Sequence, residues 1–416
     1  MRQLGMQLPG LQQRAAAIAE LPALGLLTLA GLTPERWTRS YHAAPQVDEE
    51  LLERIAAESP TLVAVSALTA SVEEAYRLGL WFRNRKIRTV IGGLHATACP
   101  EEATRFFDAV VVGGGESVWQ NLLADAEAGH LAPRYQASRG GPVDSPIPQF
   151  GLLGTKPSRL TLQTQRGCPL ACDFCGASRL LGQFWEKPIE AIRRELDAIR
   201  MISPKPLIEL ADDNTFAGQR DVEQLLSLMQ QAGARWFTES DWRIGERPDL
   251  LPRLAESGCM QVLVGIESLV FRYPGFGKKQ ADLNRIMDAV RAIQEAGIVV
   301  NGCFIAGADG ETGQSLDQLV RFILESPMAE VQLTLQTPFP GTGLYQRLRN
   351  DGRLLPNCGW SSYTLFDVCF QPDSMSAEDL TRGFRESVRQ VFLAEPAERR
   401  SRLRREIWRQ HKRVRA

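Results

Sequence analysis

The sequence predicts an α/β protein with two sheet-containing domains and a helical C-terminal end. Short apolar runs alternate with helical patterns between positions 61 and 112, and six further strand–helix units follow between positions 160 and 336. Such alternation predicts parallel sheets joined by right-handed crossovers. The stretch between the two regions is rich in Pro, Gly and Ser, which favours a linker. The predicted boundaries are 1–131 for a Rossmann-like domain, 132–156 for the linker, 157–350 for the second domain and 351–416 for a helical region with a basic tail.

Composition excludes several classes of protein. Apolar residues make up 44% and charged residues 23% of the 416 positions, which is ordinary for a soluble globular protein. The net charge of −1 argues against a nucleic-acid binder. Eight cysteines in a chain of this length do not resemble a secreted disulfide framework, so a cytoplasmic location is expected. The apolar run Ala23–Leu32 is far shorter than the ~20 residues that span a bilayer, so we expect a buried helix and no membrane span.

The N-terminal region contains three legible strands whose following loops are candidate binding loops. A short strand is also predicted at Arg36–His42, and an amphipathic helix at Glu49–Ala57. Ligands bind at the carboxyl ends of parallel strands, so the loops 66–69, 92–97 and 113–116 are the candidates. The strands are Thr61–Ser66, Thr89–Gly92 and Asp108–Val112, with helices at Val72–Arg85 and Pro100–Phe107.

The second region contains six strand–helix units. Six repeats are too few for a closed barrel of eight units. The strands are Leu160–Gln165, Leu207–Leu210, Arg235–Thr238, Val262–Ile266, Val299–Ile305 and Val331–Gln336.

Three cysteines directly after the first of these strands indicate a metal centre. Cys168, Cys172 and Cys175 follow the pattern Cys-x-x-x-Cys-x-x-Cys. Thiolates suit iron–sulfur clusters, and three ligands leave one iron of a cube open. A structural zinc knuckle or three buried thiols are alternatives. A zinc site would want a second ligand pair or a nearby histidine, and the four histidines, at positions 42, 95, 130 and 411, all lie far away in sequence.

This cysteine spacing, with Phe174 just before the last thiol, resembles the radical S-adenosylmethionine (radical SAM) superfamily. The resemblance implies that Cys168, Cys172 and Cys175 bind a 4Fe-4S cluster whose open iron chelates S-adenosylmethionine, and that Phe174 lies at this cofactor. One electron would then release a 5′-deoxyadenosyl radical. The resemblance also implies that the second domain is an open, partial (β/α)6 TIM-type barrel with a C-terminal helical cap.

Further segments in the family's order carry residues that the resemblance assigns to S-adenosylmethionine. Asp212 and Asp213, after the second strand, would accept hydrogen bonds from its ammonium group, although helix capping is an alternative for such residues. Glu267 would bind the ribose hydroxyls, or else balance Arg272 or Lys278 as a loop charge. The remaining assigned residues are Glu239 and Ser240 on the sulfonium or ribose side and Gly302 and Gly307 at the adenine. The turn Thr337–Thr342 completes the pattern.

The loops of the N-terminal region resemble the cobalamin-binding domain found ahead of the radical SAM core in one branch of the superfamily. The matching features are a Gly-Gly-x-His-x-Thr loop at 92–97 and a Gly-Glu pair after the next strand. A plain Rossmann-like module whose glycines serve turns is the alternative. The residues that the resemblance places around cobalamin are Ser66, Thr69, Gly92, Gly93, His95, Gly115 and Glu116.

Together these resemblances imply a cobalamin-dependent radical SAM enzyme. Its expected reaction is methylation of an unactivated carbon of a small molecule, such as a natural-product, lipid or pigment precursor. An electron donor such as flavodoxin or ferredoxin would serve the cluster. One alternative is a non-methylating radical SAM reaction (cyclisation, rearrangement or oxidation), with or without cobalamin. The other is a non-catalytic metal-cluster protein.

Overall fold

The computed structural model describes residues 22–43, 47–138, 141, 145–154, 157–170, 172–180, 183–275, 277 and 282–414. The predicted start of the N-terminal domain and part of the predicted linker therefore lie outside the described residues. Within them, the chain forms two parallel sheets and a helical C-terminal end, as predicted.

The first sheet has four parallel strands in the order β1-β2-β3-β4. The predicted strand at Arg36–His42 is wrong: a turn from Trp37 N to Pro34 O (3.0 Å) bends the chain there, and the segment is irregular. The fourth strand lies inside the predicted linker, where Tyr135 pairs with Val111. The strands are β1 (Leu62–Ser66), β2 (Arg88–Gly92), β3 (Ala109–Val112) and β4 (Arg134–Gln136). The helices are α1 (Leu24–Leu32), α2 (Glu49–Ala57), α3 (Val72–Asn84), α4 (Leu94–Ala98), α5 (Pro100–Ala103) and α6 (Trp119–Ala128).

The second sheet has six parallel strands in the order β12-β11-β10-β9-β8-β5, so each strand lies beside its neighbour in sequence. This is the open partial barrel that was predicted, and β5 and β12 are its two edges. Its strands are β5 (Leu160–Leu162), β8 (Leu207–Leu210), β9 (Arg235–Ser240), β10 (Cys259–Glu267), β11 (Val299–Ala306) and β12 (Glu330–Leu335). A short antiparallel pair, β6 (Gln165–Arg166) and β7 (Trp185–Glu186), follows β5.

The helices of the second domain cover the sheet through regularly spaced apolar residues. Ile286, Val290 and Ile293 are buried at spacings of four and three along one helix. A capping box at Thr312 and Ser315 fixes the start of another helix. The helices are α7 (Ala177–Leu180), α8 (Ile189–Ile202), α9 (Val222–Gln231), α10 (Leu250–Ser257), α11 (Leu283–Glu295), α12 (Gly313–Glu325) and α13 (Gly343–Asn350).

Two C-terminal helices, α14 (Ala377–Val391) and α15 (Ala394–Val414), form the predicted helical cap. The described part of the basic tail, up to Val414, belongs to α15, where Ile407 is buried against Val299 and Ala329 at the barrel. Within the described residues, no helix is both long and apolar enough to cross a membrane.

The two sheets contact each other through the loops at their carboxyl ends. Gly341, after β12, lies so close to the first domain that a Cβ built on it would be 3.1 Å from Ala98 Cβ. Trp360 donates from its indole Nε1 to Glu102 (2.8 Å) and from its backbone N to Glu73 (2.7 Å). We call the loops after β1, β2 and β3 the sheet edge, and the loops after the six barrel strands the barrel edge.

Candidate functional site

The three thiols lie on one segment that begins at Arg166, the last residue of β6, and is described at residues 166–170 and 172–175; we call it the cluster loop. Cys172 is buried and Cys168 and Cys175 are half-buried. A turn links Cys175 N to Cys172 O at 3.2 Å. Cys172 and Cys175 share one apolar cluster with Tyr273. Burial raises the pKa of the Cys168 thiol, and Cys175 and Asp213 lie close enough to raise it further.

The donor set suits an iron–sulfur cube better than a single ion. In the part of the chain that the structure describes, no three His, Cys, Asp or Glu side chains converge on one point, as a single-ion site would require. A cube makes a different demand, because each thiolate binds its own iron. Three soft sulfur donors on one short loop, one buried and two half-buried beside aromatic side chains, therefore fit the cluster.

Residues that follow β10 and β12 hold the cluster loop in place. The backbone of Asp173 donates to Pro274 O (3.0 Å) and accepts from Leu344 N (3.0 Å), and its carboxylate pairs with Arg347. The ring of Phe174 packs against Tyr273, with 4.5 Å between the ring centroids. The predicted residue Phe174 therefore lies in the wall of the thiol site.

The adjacent acids Asp212 and Asp213 have different surroundings. Asp212 is 2% exposed and accepts hydrogen bonds from Thr164 N (2.7 Å), Gln165 N (3.0 Å) and the hydroxyls of Thr164 (2.5 Å) and Thr215 (3.1 Å). Burial raises the pKa of Asp212, and these hydrogen bonds oppose the shift. Its predicted contact with an ammonium group is not supported, because its oxygens hold the strand ends together.

Asp213 is the acid that faces the cluster loop. Its carboxylate accepts from the backbone N of Gly167 and lies beside Cys168. Burial, and then the charge of Asp212, raises the pKa of Asp213 to about 6. Asp213 can therefore present a carboxylate oxygen to a cation bound at the open corner of a cluster.

Two predicted residues at the end of β9 differ in exposure. Glu239 is exposed, and its backbone oxygen accepts from Thr215 N at 3.1 Å. Ser240 is buried and donates to Asp241 O at 3.2 Å. Asp241, the next polar residue at this strand end, is buried and pairs with Arg243 at 2.6 Å.

Glu267 and Gly307 lie at neighbouring strand ends of the barrel edge. Glu267 is 9% exposed and has a positive φ of 68°, at an irregularity where β10 changes register against β11. Such a conformation is uncommon for a residue with a side chain and is typical of functional sites. Gly307 has φ 90° and donates to the buried Glu311 at 2.7 Å. Lys278, the alternative partner of Glu267, lies outside the described residues.

Gly302 lies in the interior of β11, before the strand end at Ala306. A Cβ built on it would be 2.2 Å from the sulfur of Met328, so close contact with the connection that precedes β12 accounts for this glycine. Its contact with the adenine stays a prediction.

The sheet edge brings all seven predicted cobalamin residues to one end of the first sheet. Ser66 and Gly92 are register partners at the ends of β1 and β2. Gly93 has φ 100°, which favours glycine, and a Cβ there would be 3.2 Å from Ser66 Oγ. Thr69 is buried, and Gly115 lies against Leu29. The residues at this edge are small, as close approach of a ligand to the backbone requires.

His95 is enclosed and does not face the sheet edge. Its side chain is 0% exposed. Its ring lies edge-on to Trp360 (4.9 Å) and Tyr76 (6.2 Å), and Nδ1 lies 3.3 Å from Thr69 Oγ1. Burial lowers the pKa of His95, although Glu102 opposes the shift. Its predicted contact with cobalamin is therefore not supported, and Trp360, which sequence reasoning missed, covers it.

Glu116 joins the sheet edge to the cluster loop. Its carboxylate accepts two hydrogen bonds from Arg166, at 2.5 and 3.2 Å. Burial alone would raise the pKa of Glu116, but the hydrogen bonds and charge of Arg166 hold it below its usual value. Arg166 is a second residue that sequence reasoning missed, although its position just before Gly167 and Cys168 was a signal.

Comparison with known families agrees with this geometry. The family model of the radical SAM superfamily matches residues 162–323, and that of the B12 binding domain matches residues 14–123. The chain is 26% identical over 344 residues to the bacteriochlorophyllide d C-12(1)-methyltransferase of Chlorobaculum tepidum, covering 80% of this chain and 74% of that protein.

Solved structures show the same fold. The radical S-adenosylmethionine methyltransferase TsrM from Kitasatospora setae, solved with cobalamin and a 4Fe-4S cluster, superposes with a TM-score of 0.65 at 15% identity, over 88% of this chain and 91% of that one. The cobalamin-dependent S-adenosylmethionine radical enzyme OxsB superposes with a TM-score of 0.60 at 17% identity, over 80% of this chain. This chain spans 54% of the OxsB chain, about half its length.

The fold and the two domain matches define an S-adenosylmethionine radical enzyme with a corrin-binding domain. The chain belongs to the radical SAM superfamily, in its cobalamin-dependent branch, which includes methyltransferases. The predicted fold class, family and cofactors (4Fe-4S cluster, S-adenosylmethionine and cobalamin) are thereby confirmed.

Proposed function

We propose that the protein transfers a methyl group to an unactivated carbon of a small molecule. The observation that carries the proposal is the direct contact between the cluster loop and the sheet edge, through Arg166 and Glu116. When bound, the cluster with S-adenosylmethionine supplies a carbon-centred radical and the corrin supplies the methyl group. A shared edge allows both cofactors to reach one substrate.

The chain's own residues hold and orient these groups. Cys168, Cys172 and Cys175 would hold the cluster. Asp213 would accept hydrogen bonds from the ammonium of S-adenosylmethionine, because it lies beside Cys168 and its neighbour Asp212 is occupied. A charge-assisted hydrogen bond of this kind contributes ~1.5–3 kcal/mol.

Other groups at the barrel edge would orient the nucleoside and keep water out. Glu267 and Gly307 would contact the ribose and adenine, and Glu239 and Ser240, at the end of β9, would lie at the same edge. Phe174 and Tyr273 cover the thiol site on one side. These roles rest on position in the barrel and on the family resemblance.

Pigment precursors are the substrate class to try first. The Chlorobaculum tepidum relative is named for methylation of bacteriochlorophyllide d, a large flat molecule. A one-electron donor such as reduced flavodoxin or ferredoxin would serve the cluster, and such donors fit the cytoplasmic location expected from cysteine usage.

The test uses full-length protein, reconstituted anaerobically with iron, sulfide and cobalamin. After reduction and addition of methyl-deuterated S-adenosylmethionine, we expect labelled methyl on the released corrin by mass spectrometry. With bacteriochlorophyllide d as probe, we expect 5′-deoxyadenosine and labelled product.

Cys168→Ala should abolish formation of 5′-deoxyadenosine, whereas Cys303→Ala, at a strand thiol, should retain it. If 5′-deoxyadenosine forms while neither corrin nor product carries label, the enzyme performs a non-methylating radical reaction.

A further inference from the structure

One ion pair joins the cluster loop to the sheet edge. Arg166 immediately precedes Gly167 and Cys168. Glu116 is the last residue of the loop 113–116 after β3, a predicted cobalamin-binding loop that we call the corrin loop. The guanidinium contacts both carboxylate oxygens, with Nη2–Oε1 at 2.5 Å and Nη1–Oε2 at 3.2 Å. The side chains are 17% and 9% exposed. A two-point, largely buried pair fixes both distance and orientation, unlike a single-point exposed pair.

The surroundings of the pair are built to hold it. Gln163 Oε1 accepts from Arg166 Nε at 3.3 Å and from Nη2 at 3.2 Å. A side chain three positions earlier in the chain therefore also orients the guanidinium. The absence of a side chain at Gly114 leaves space for the pair, because a Cβ there would be 2.6 Å from Arg166 Nη1 and 3.0 Å from Glu116 Oε2. A side chain at position 114 would displace the pair.

Arg166 also lies close enough to Asp213, the acid beside Cys168, to oppose the rise in the pKa of Asp213. Lys187 acts on Glu116, and Arg166 acts on Asp213. The positive charge of Arg166 therefore acts on the carboxylate of Glu116 at the sheet edge and on the carboxylate beside Cys168. Removing it would leave both acids without this cation.

We propose that Arg166 and Glu116 are positioning residues that lock the cluster loop to the corrin loop and so set the distance between the two cofactors. This inference rests on the proposed function for its purpose, but its physical content is a mechanical link between two loops. Glu116 then acts through Arg166 rather than by contact with cobalamin.

The first test needs no cofactor. Hydrogen–deuterium exchange of the full chain would compare wild type with Glu116→Gln and Arg166→Gln. We expect about tenfold faster exchange in both 113–118 and 163–168, the effect of losing one charge-assisted hydrogen-bonded pair. Arg166→Lys should give an intermediate result, because it keeps the charge but loses the two-point contact.

The matched control is Glu246→Gln. Glu246 also makes a two-point pair, with Arg285 at 2.5 and 2.9 Å, but both residues lie within the barrel domain. This variant should leave exchange in 113–118 and 163–168 unchanged. The charge-swapped variant Glu116→Arg with Arg166→Glu should recover part of the protection, and its melting temperature checks folding.

The second test uses the reconstituted enzyme. In Glu116→Gln we expect iron and sulfide content to stay at wild-type values, while the yield of methyl-labelled corrin per 5′-deoxyadenosine falls. Unchanged exchange in both loops would overturn the link, whatever the activity. Faster exchange in the variants with no labelled corrin in wild type would overturn the proposed methyl transfer and leave the link standing.

Discussion

The barrel edge and the sheet edge use different chemistry at the same geometric position, the carboxyl ends of parallel strands. The barrel edge carries buried carboxylates, among them Asp212 and Glu311, each tied by several hydrogen bonds. The sheet edge carries glycine and small side chains, and its one buried histidine is covered by Trp360. The difference matches the two cofactors, because a charged amino acid derivative needs fixed polar groups whereas a large ring needs open surface and close backbone approach.

The two edges are also stabilised by different interactions. Buried carboxylates at the barrel edge bind together strand ends that are distant in sequence, such as Thr164 and Asp212. At the sheet edge, backbone conformation and apolar contact serve instead, apart from the pair of Glu116 with Arg166. Replacing a buried, hydrogen-bonded carboxylate such as Asp212 or Glu311 at the barrel edge should therefore change stability, or its dependence on pH, more than replacing His95 at the sheet edge.

Replacing Asp212 should give the largest effect. Asp212→Ala leaves the donors of Thr164, Gln165 and Thr215 without their buried acceptor, so we expect a loss of ~3–5 kcal/mol in the free energy of unfolding. The measurement is thermal or urea unfolding followed by circular dichroism.

The adjacent variant Asp213→Ala is the control for that loss. It removes an acceptor from one backbone donor, that of Gly167, so ~1 kcal/mol is expected. Equal losses at the two positions would contradict the division of roles between these acids.

Glu311 should make the barrel edge sensitive to pH. Burial raises the pKa of Glu311 from 4.5 to about 7, against the opposing hydrogen bonds from Gly307 and Ser268. The folded state therefore binds this proton more tightly than the unfolded state. Its contribution to stability is complete below pH ~4.5 and is lost as pH rises through 7, by about 3 kcal/mol.

The measurement is the melting temperature of wild type and Glu311→Gln between pH 5.5 and 8.5. Because the variant stays neutral, wild type should lose stability relative to Glu311→Gln as pH rises. Glu325→Gln, at an exposed glutamate, should follow wild type. Parallel curves for wild type and Glu311→Gln would show that this carboxyl does not titrate in that range.

Local patterns in the sequence predicted three strands of the first sheet, all six strands of the second and the cysteine loop, because apolar runs and ligand spacing are local signals. The short fourth strand of the first sheet, inside the predicted linker, was missed. The direction in which adjacent acids point is set by the exact end of a strand, so the sequence treated Asp212 and Asp213 alike. Contacts between distant segments carry no local signal: Trp360 bonds to Glu73, which lies 287 positions earlier. The enclosure of His95 and the partner of Glu116 could be found only in the folded chain.

Replacing His95 should have the smallest effect on the bound cofactor, because we expect this residue of the sheet edge not to contact it. The ring is fully enclosed by Thr69, Tyr76, Trp360 and Glu102, so it cannot reach a metal at the open edge without moving Trp360. We expect His95→Ala to bind cobalamin whose cobalt(II) electron paramagnetic resonance spectrum matches that of wild type. The cavity should cost ~2 kcal/mol of stability, measured by thermal unfolding. A nitrogen splitting that is present in wild type and lost in His95→Ala would show instead that this ring ligates cobalt and that the sheet edge opens to admit it.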